Sequence, residues 1–290
     1  MVVLSFQRKI LIIKSEIYPI ISKHYPKNTH REIISLYDLI TFAILAHLHF
    51  NGVYKHAYRV LIEEMKLFPK IRYNKLTERL NRHEKLLLLA QEELFKKHAR
   101  EYVRILDSKP IQTKELARKN RKDKEGSSEV ISEKPAVGFV PSKKKFYYGY
   151  KLTCYSDGNL LALVSVDPAN KHDVSVVREK FWVIVEEFSG CFLFLDKGYV
   201  SRELQEEFLK FGVVYTPVKR ENQVSNLEEK KFYKYLSDFR RRIETLFSKF
   251  SEFLLKPSRS VSLRGLAVRI LGAILAVNLD RLYNFTGGGN

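Results

Sequence analysis

Three carboxylates in this chain are spaced so that strands and a helix could bring them together: Asp107, Asp196 and Glu244. Asp196 stops the apolar run CFLFL and is followed by Lys197, Gly198 and Tyr199. A short apolar run bounded by turn residues has the pattern of a buried strand. Ser201 is placed to cap the helix that follows. A charge at the end of such a strand is costly unless the strand opens into a cleft, and clefts at strand carboxyl ends are where open α/β sheets hold ligands. Asp107 closes the β-rich run YVRILD in the same manner. The plainer reading of either residue is a turn aspartate. On parallel neighbouring strands, about 4.8 Å apart, the two would repel unless one took up a proton or a cation stood between them. A divalent cation with oxygen ligands resolves that conflict. Two such ions about 3.5–4 Å apart serve phosphoryl transfer.

The third carboxylate belongs to a helix. Ile243, Leu246, Phe247, Phe250, Phe253 and Leu254 make an apolar stripe at helical spacing. Glu244 lies at the edge of that stripe, on the face of Arg240 and Ser248. Beside Arg240, Arg241 and Arg242 it reads either as a structural ion pair or as a metal ligand next to a phosphate clamp.

The elements that must position these residues follow from the pattern. Residues 1–100 read as helices, including the almost uniformly apolar LYDLITFAILAHLHF and a short polar-faced helix carrying Asn74, Lys75, Arg79 and Arg82. That short helix is either a DNA recognition helix or a solvated face. From residue 101 the order becomes β-β-β-α-β-α-β-α, with Asp157-Gly158 as the hairpin turn between the second and third strands. Between residues 109 and 145 lie eleven basic and five acidic residues with little apolar content, ending in Lys143, Lys144 and Lys145. This is expected to be a mobile basic loop. The resulting layout resembles the ribonuclease H-like fold, a mixed five-stranded sheet. Its order 3-2-1-4-5 is carried over by that analogy.

Composition bounds the partners. Fifty-one basic against 33 acidic residues give a net charge of +18, which favours nucleic acid or an anionic membrane. The longest apolar candidate, Leu266–Leu279, is broken by Arg269 and Asn278. With no leader-like N-terminus and two cysteines, Cys154 and Cys191, in strands, a reducing, cytoplasmic setting is expected. No zinc-type ligand spacing occurs.

LDSKP, LDKGY and RRRIETLF, with spacings of 196 − 107 = 89 and 244 − 196 = 48 residues, together resemble insertion-sequence transposases of the DDE type. The helical N-terminal region and C-terminal helix are similar to the insertion-sequence family numbered nine-eight-two. The resemblance implies Asp107, Asp196 and Glu244 as catalytic metal ligands, Mg²⁺ (or Mn²⁺) as cofactor, double-stranded DNA as partner and a homodimer as the active form. It implies a DNA-binding domain over 1–100 and a catalytic domain over 101–290. Related families carry a tyrosine three residues before the arginine and a lysine seven after the glutamate; Ser237 and Ser251 stand there, with Arg241 and Lys249 nearby as substitutes. Lys151 and Lys197, near strand ends, and Arg240 join the expected DNA contacts. His172-Asp173 resembles a further motif of such enzymes, although its plainer reading is a helix start. Tyr150 and Tyr199 read as packing residues. A stand-alone nuclease or junction resolvase, and a DNA-binding protein without catalysis, are the rival functions.

Overall fold

The computed structural model describes residues 2–25, 33–99, 102–115, 127–217, 227–254 and 262–287. The chain divides into two units. One comprises residues 1–98, 124–132 and 249–290, and the other comprises 99–123 and 133–248. The expected boundary near residue 100 is therefore incomplete, because the last forty or so residues group with the N-terminal helices.

The first unit is helical: α1 (Val2–His24), α2 (Leu36–Phe50), α3 (Tyr54–Tyr58, continuing as a π-turn through Arg59–Glu64), α4 (Tyr73–Arg82), α5 (Glu84–His98) and α10 (Leu263–Tyr283). The Ser35 hydroxyl oxygen accepts from the Asp38 amide and caps α2, and Asn51 ends it in the left-handed region. α10 is capped by Ser262 and is buried along Leu266–Asp280. Two helices that are apolar all round must enclose each other, and α10 packs on α2, α4 and α5. His47 sits inside with its Nδ1 2.7 Å from the Phe253 carbonyl oxygen and its Nε2 3.2 Å from the Tyr54 hydroxyl. The carbonyl can only accept, so Nδ1 carries the proton and Nε2 accepts from tyrosine. Burial lowers this imidazole to about 3, so it is a neutral core residue. Gly272 makes room for it: a Cβ there would lie 2.8 Å from the ring.

The second unit is built on a mixed sheet of β1 (Val103–Lys114), β2 (Ala136–Val140), β3 (Lys145–Ser156), β4 (Leu161–Pro168), β5 (Phe192–Leu195) and β6 (Val214–Pro217). The helices α6 (Asp173–Glu179), α7 (Phe181–Phe188) and α8 (Arg202–Lys210) intervene, and α9 (Leu227–Phe253) follows. The order is β2-β3-β1-β5-β6, with β4 also paired to β3. This corrects the expected five-stranded order 3-2-1-4-5. The added strand is β2, which pairs with residues 145–149 of β3, while β4 pairs with residues 150–156. β1 is antiparallel to β3 and parallel to β5, and β5 is parallel to β6.

The expected loop over 109–145 is likewise corrected where it is described. β1 continues to Lys114, and β2 and the turn before β3 occupy 136–143. Residues 116–126 lie outside the described residues. Gly149 marks a close backbone approach in the sheet, since a Cβ there would stand 2.0 Å from the Ile111 carbonyl oxygen. Only glycine admits so close a backbone approach.

Candidate active site

β1 and β5 run parallel with Leu106 opposite Leu195. The next residue on each is an aspartate, so register alone brings Asp107 and Asp196 side by side. Both strands are largely apolar up to that point because they enter the core: Ile105, Leu106, Leu193 and Leu195 are fully enclosed. α9 supplies the third carboxylate. Its buried stripe includes Leu236, Phe239, Ile243, Leu246 and Phe247, and this leaves Arg240 half-buried and Glu244 exposed at the margin.

The three expected site carboxylates meet on one guanidinium. Arg240 Nη1 donates to Asp196 Oδ1 at 2.9 Å and Nη2 to Glu244 Oε1 at 3.3 Å. Its Nε lies 4.0 Å from Asp107 Oδ2 and is buried with no hydrogen-bond partner among the described residues. Asp107 Oδ1 accepts from the Ser108 amide at 2.8 Å. Burial pushes the Asp107 carboxyl up to about 6, and Asp196 and Glu244 add to this, against the opposing pull of the Ser108 amide and Arg240.

Among the described residues no group of three His, Cys, Asp or Glu stands in a metal-holding arrangement. The carboxylates are turned onto Arg240 instead. Their donor chemistry nevertheless fits a hard divalent cation. All are carboxylate oxygens, and they converge on a point already occupied by positive charge.

A fourth carboxylate borders the site. Asp173, in the first turn of α6, accepts from Ser108 Oγ at 3.2 Å and from Lys151 Nζ at 2.9 Å. The helix-start reading of Asp173 holds, and the side chain also ties α6 to the residue after Asp107. The only sequence signal for this was the His172-Asp173 pair. Tyr150 and Tyr199 are buried at 0% and 1% exposure, which suits packing.

The expected DNA contacts separate into two groups. Lys151 is held by Asp173 and by the Lys171 carbonyl at 2.7 Å, so it ties the unit together internally. Lys249, the expected substitute phosphate contact, pairs with buried Asp280. Arg241 is exposed but pairs with Asp238. Lys143, Lys144 and Lys145 are exposed at the β2–β3 turn. The Lys197 side chain lies outside those described.

On α4, Lys75 and Arg82 are exposed and share Glu78, at 2.9 and 3.2 Å. Arg79 instead donates to the Ile34 carbonyl at 2.8 Å. All three line a groove of about 530 Å³ with Lys70 and Arg72, two cations that sequence reading missed because they precede the helix. The three α4 cations should therefore behave differently. Lys75→Ala and Arg82→Ala should each lower the salt slope of DNA binding by about one. Arg79→Ala should lower the melting temperature of the free protein. Equal effects of all three on the salt slope, with no change in melting temperature, would contradict this division.

Among the described residues, no single helix is long and apolar enough to cross a membrane. No curated protein and no solved structure matches the chain. Residues 98–279 match the family model described as transposase DDE domain, a span that holds all three carboxylates and most of the chain. The chain therefore belongs to the DDE transposase family.

Proposed function

We infer that this transposase cleaves DNA at the ends of an insertion sequence and joins them to a target, with Asp107, Asp196 and Glu244 as its catalytic carboxylates. The observation that carries this reading is the convergence on Arg240 of Asp107 within β1, Asp196 just past the end of β5 and Glu244 on α9. Asp107, Asp196 and Glu244 are the residues that would hold Mg²⁺ or Mn²⁺. Bound there, such ions supply Lewis-acid polarisation of the phosphodiester and acidity for the attacking water or 3′-hydroxyl. Asp107 is the most enclosed of the three and is fixed by the Ser108 amide, so its charge has the greatest need of a partner. Arg240 stands beside it as that partner. Released from the carboxylates, its planar guanidinium suits a DNA phosphate, which it can grip with two parallel hydrogen bonds.

The parallel pairing of β1 with β5 supports a ribonuclease H-like reading of the sheet. The three motifs and their spacing support the likeness to the insertion-sequence family numbered nine-eight-two. Backbone chemistry is the same at every phosphodiester, so recognition of the ends must lie elsewhere. The basic groove beside α4 supports assigning it to the helical unit. Action as a homodimer on double-stranded DNA in the cytoplasm completes the proposal.

The test is a cleavage assay with the full chain, Mg²⁺, and duplexes bearing either the element's own ends or scrambled ends. Metal-dependent cutting confined to the cognate ends is the expected result. Cutting of branched or arbitrary DNA would favour the nuclease or resolvase, and binding without any cutting would favour a non-catalytic DNA-binding protein.

A further inference from the structure

The β2–β3 hairpin carries an apolar face whose Phe139–Phe146 end is left exposed among the described residues. Register places Val137 opposite Tyr148 and Phe139 opposite Phe146. Cross-strand partners and residues two apart share a face, so all four point the same way. Val137, Phe139 and Phe146 are 36%, 49% and 56% exposed. The two phenyl rings lie 4.8 Å apart and tilted by 47°. Tyr148, further along, is covered by Lys114, whose ammonium lies 4.7 Å from the ring centre.

The opposite face is seated. Gly138 is buried against Ala169, where a Cβ would fall 2.5 Å from the carbonyl oxygen. The hairpin is thus a fixed platform, with one side packed and the other side aromatic. Its turn holds three consecutive exposed lysines, Lys143, Lys144 and Lys145, and Lys144 is in the left-handed region at φ 45°. Two half-exposed phenyl rings in a strand pair are a solubility cost that folding alone does not explain, since neither ring is buried.

We propose that the Phe139–Phe146 pair is a stacking site for unpaired bases of DNA, with the lysines of the turn and Lys114 holding the adjoining phosphates. Every base offers a π-face, and aromatic side chains beside a basic surface bind single-stranded nucleic acid without needing its sequence. The charge supports a polyanion over an apolar protein partner, because the patch is rimmed by lysine. β3 carries both ends of the arrangement. Phe146 is eight residues from Cys154, the register partner of Asp107, or roughly 27 Å along the strand. The stacked bases would therefore flank the cleaved position instead of occupying it. This inference rests on the reading of the chain as a DNA-processing enzyme.

The experiment compares the full chain with Phe139→Leu/Phe146→Leu, which keeps apolar bulk and removes the rings. Fluorescence anisotropy would measure binding to a fully paired duplex and to the same duplex with a short single-stranded tail containing 2-aminopurine. The wild type should bind the tailed DNA at least about fivefold more tightly and quench the aminopurine on stacking. The double variant should lose the preference and the quenching while keeping its affinity for the paired duplex. A wild type without preference or quenching overturns the inference whatever the variant does. So does a variant that retains both, or one whose loss coincides with a dimer falling apart in sedimentation, which would make the face a contact with a second copy. If the wild type binds neither DNA, the reading as a DNA-processing enzyme fails as well; if it binds paired duplex normally, only the stacking site fails.

Discussion

Asp107→Asn, Asp196→Asn and Glu244→Gln are each expected to reduce Mg²⁺-dependent cleavage of the element's ends by more than about a hundredfold, with duplex binding retained. Each change keeps shape and removes one negative charge from a set of three that faces a single cation. Losses should not track burial, because Glu244 is exposed and Asp107 is enclosed, yet both contribute to the same charge. Stability should follow a different order. The Asp107 carboxyl is raised from 3.8 to about 6 in the folded state, so the folded protein binds that proton more tightly than the unfolded chain does. The stabilisation from protonation is full below the unfolded value and is lost as pH rises to about 6. An asparagine there escapes the loss, so metal-free Asp107→Asn at neutral pH should melt no lower than the wild type. Cleavage and melting measured on the same preparations test both statements. Any variant that cuts at the wild-type rate with Mg²⁺ present would take its residue out of the site.

The second large effect is expected in the helical unit, at Glu16. This carboxylate lies buried on α1 and joins three helices. Its Oε2 accepts from Lys97 Nζ at 2.8 Å and from His98 Nε2 at 3.0 Å on α5, and its Oε1 accepts from the Tyr283 hydroxyl on α10. Burial by itself would raise the carboxyl, but the hydrogen bonds from Lys97, Tyr283 and His98 outweigh it and bring the group down to about 2. The sign is the reverse of that at Asp107. The contribution is complete above the unfolded value of 4.5 and disappears as pH falls toward 2. Allowing for the solvent exposure of Lys97, it is worth about 2–3 kcal/mol. Glu16→Gln should therefore lose about 2 kcal/mol at pH 7, and its stability should be flatter than the wild type's between pH 4.5 and 2. Urea unfolding followed by helical signal across that range measures both. Parallel curves for the two proteins would mean that the bonds to Glu16 contribute nothing net.

The aspartates of the candidate site were legible because each follows a largely apolar β-rich run, although only β5 stops there and β1 runs on past Asp107 to Lys114. Glu244 was legible from the helical stripe beside it. The pairing of β1 with β5 followed from element order, since a helical crossover favours a parallel neighbour. β2 was hidden because AVGFV is short and lies in a segment dominated by charge. Its reason for being a strand is β3, which it meets only after the turn at Pro141–Lys143. The roles of single cations were hidden for a related reason. A lysine looks the same in sequence whether it faces water or a buried acid. Asp173 lies 22 residues from Lys151, and Asp280 lies 31 from Lys249. The grouping of α10 with the first helices was equally invisible, because an all-round apolar helix declares that it will be enclosed but not by which neighbours.

That grouping sets the timetable on which the protein can be made. The helices α1 to α5 leave the ribosome well before α10, and the apolar slot that α10 fills stays open until residues 263–283 emerge. From His98 to Leu263 is 165 residues, on the order of ten to thirty seconds of synthesis. For that interval the nascent chain carries α2 without its main partner, a fifteen-residue helix of which eleven side chains are destined for the interior. The sheet, whose strands all lie between residues 103 and 217, is complete before the unit that precedes it. A ribosome-bound holdase would thus meet its binding site when α2 emerges and release it only when α10 does. A premature stop early in the codons for α10 would spare the sheet and its carboxylates while leaving α2 uncovered and open to proteases.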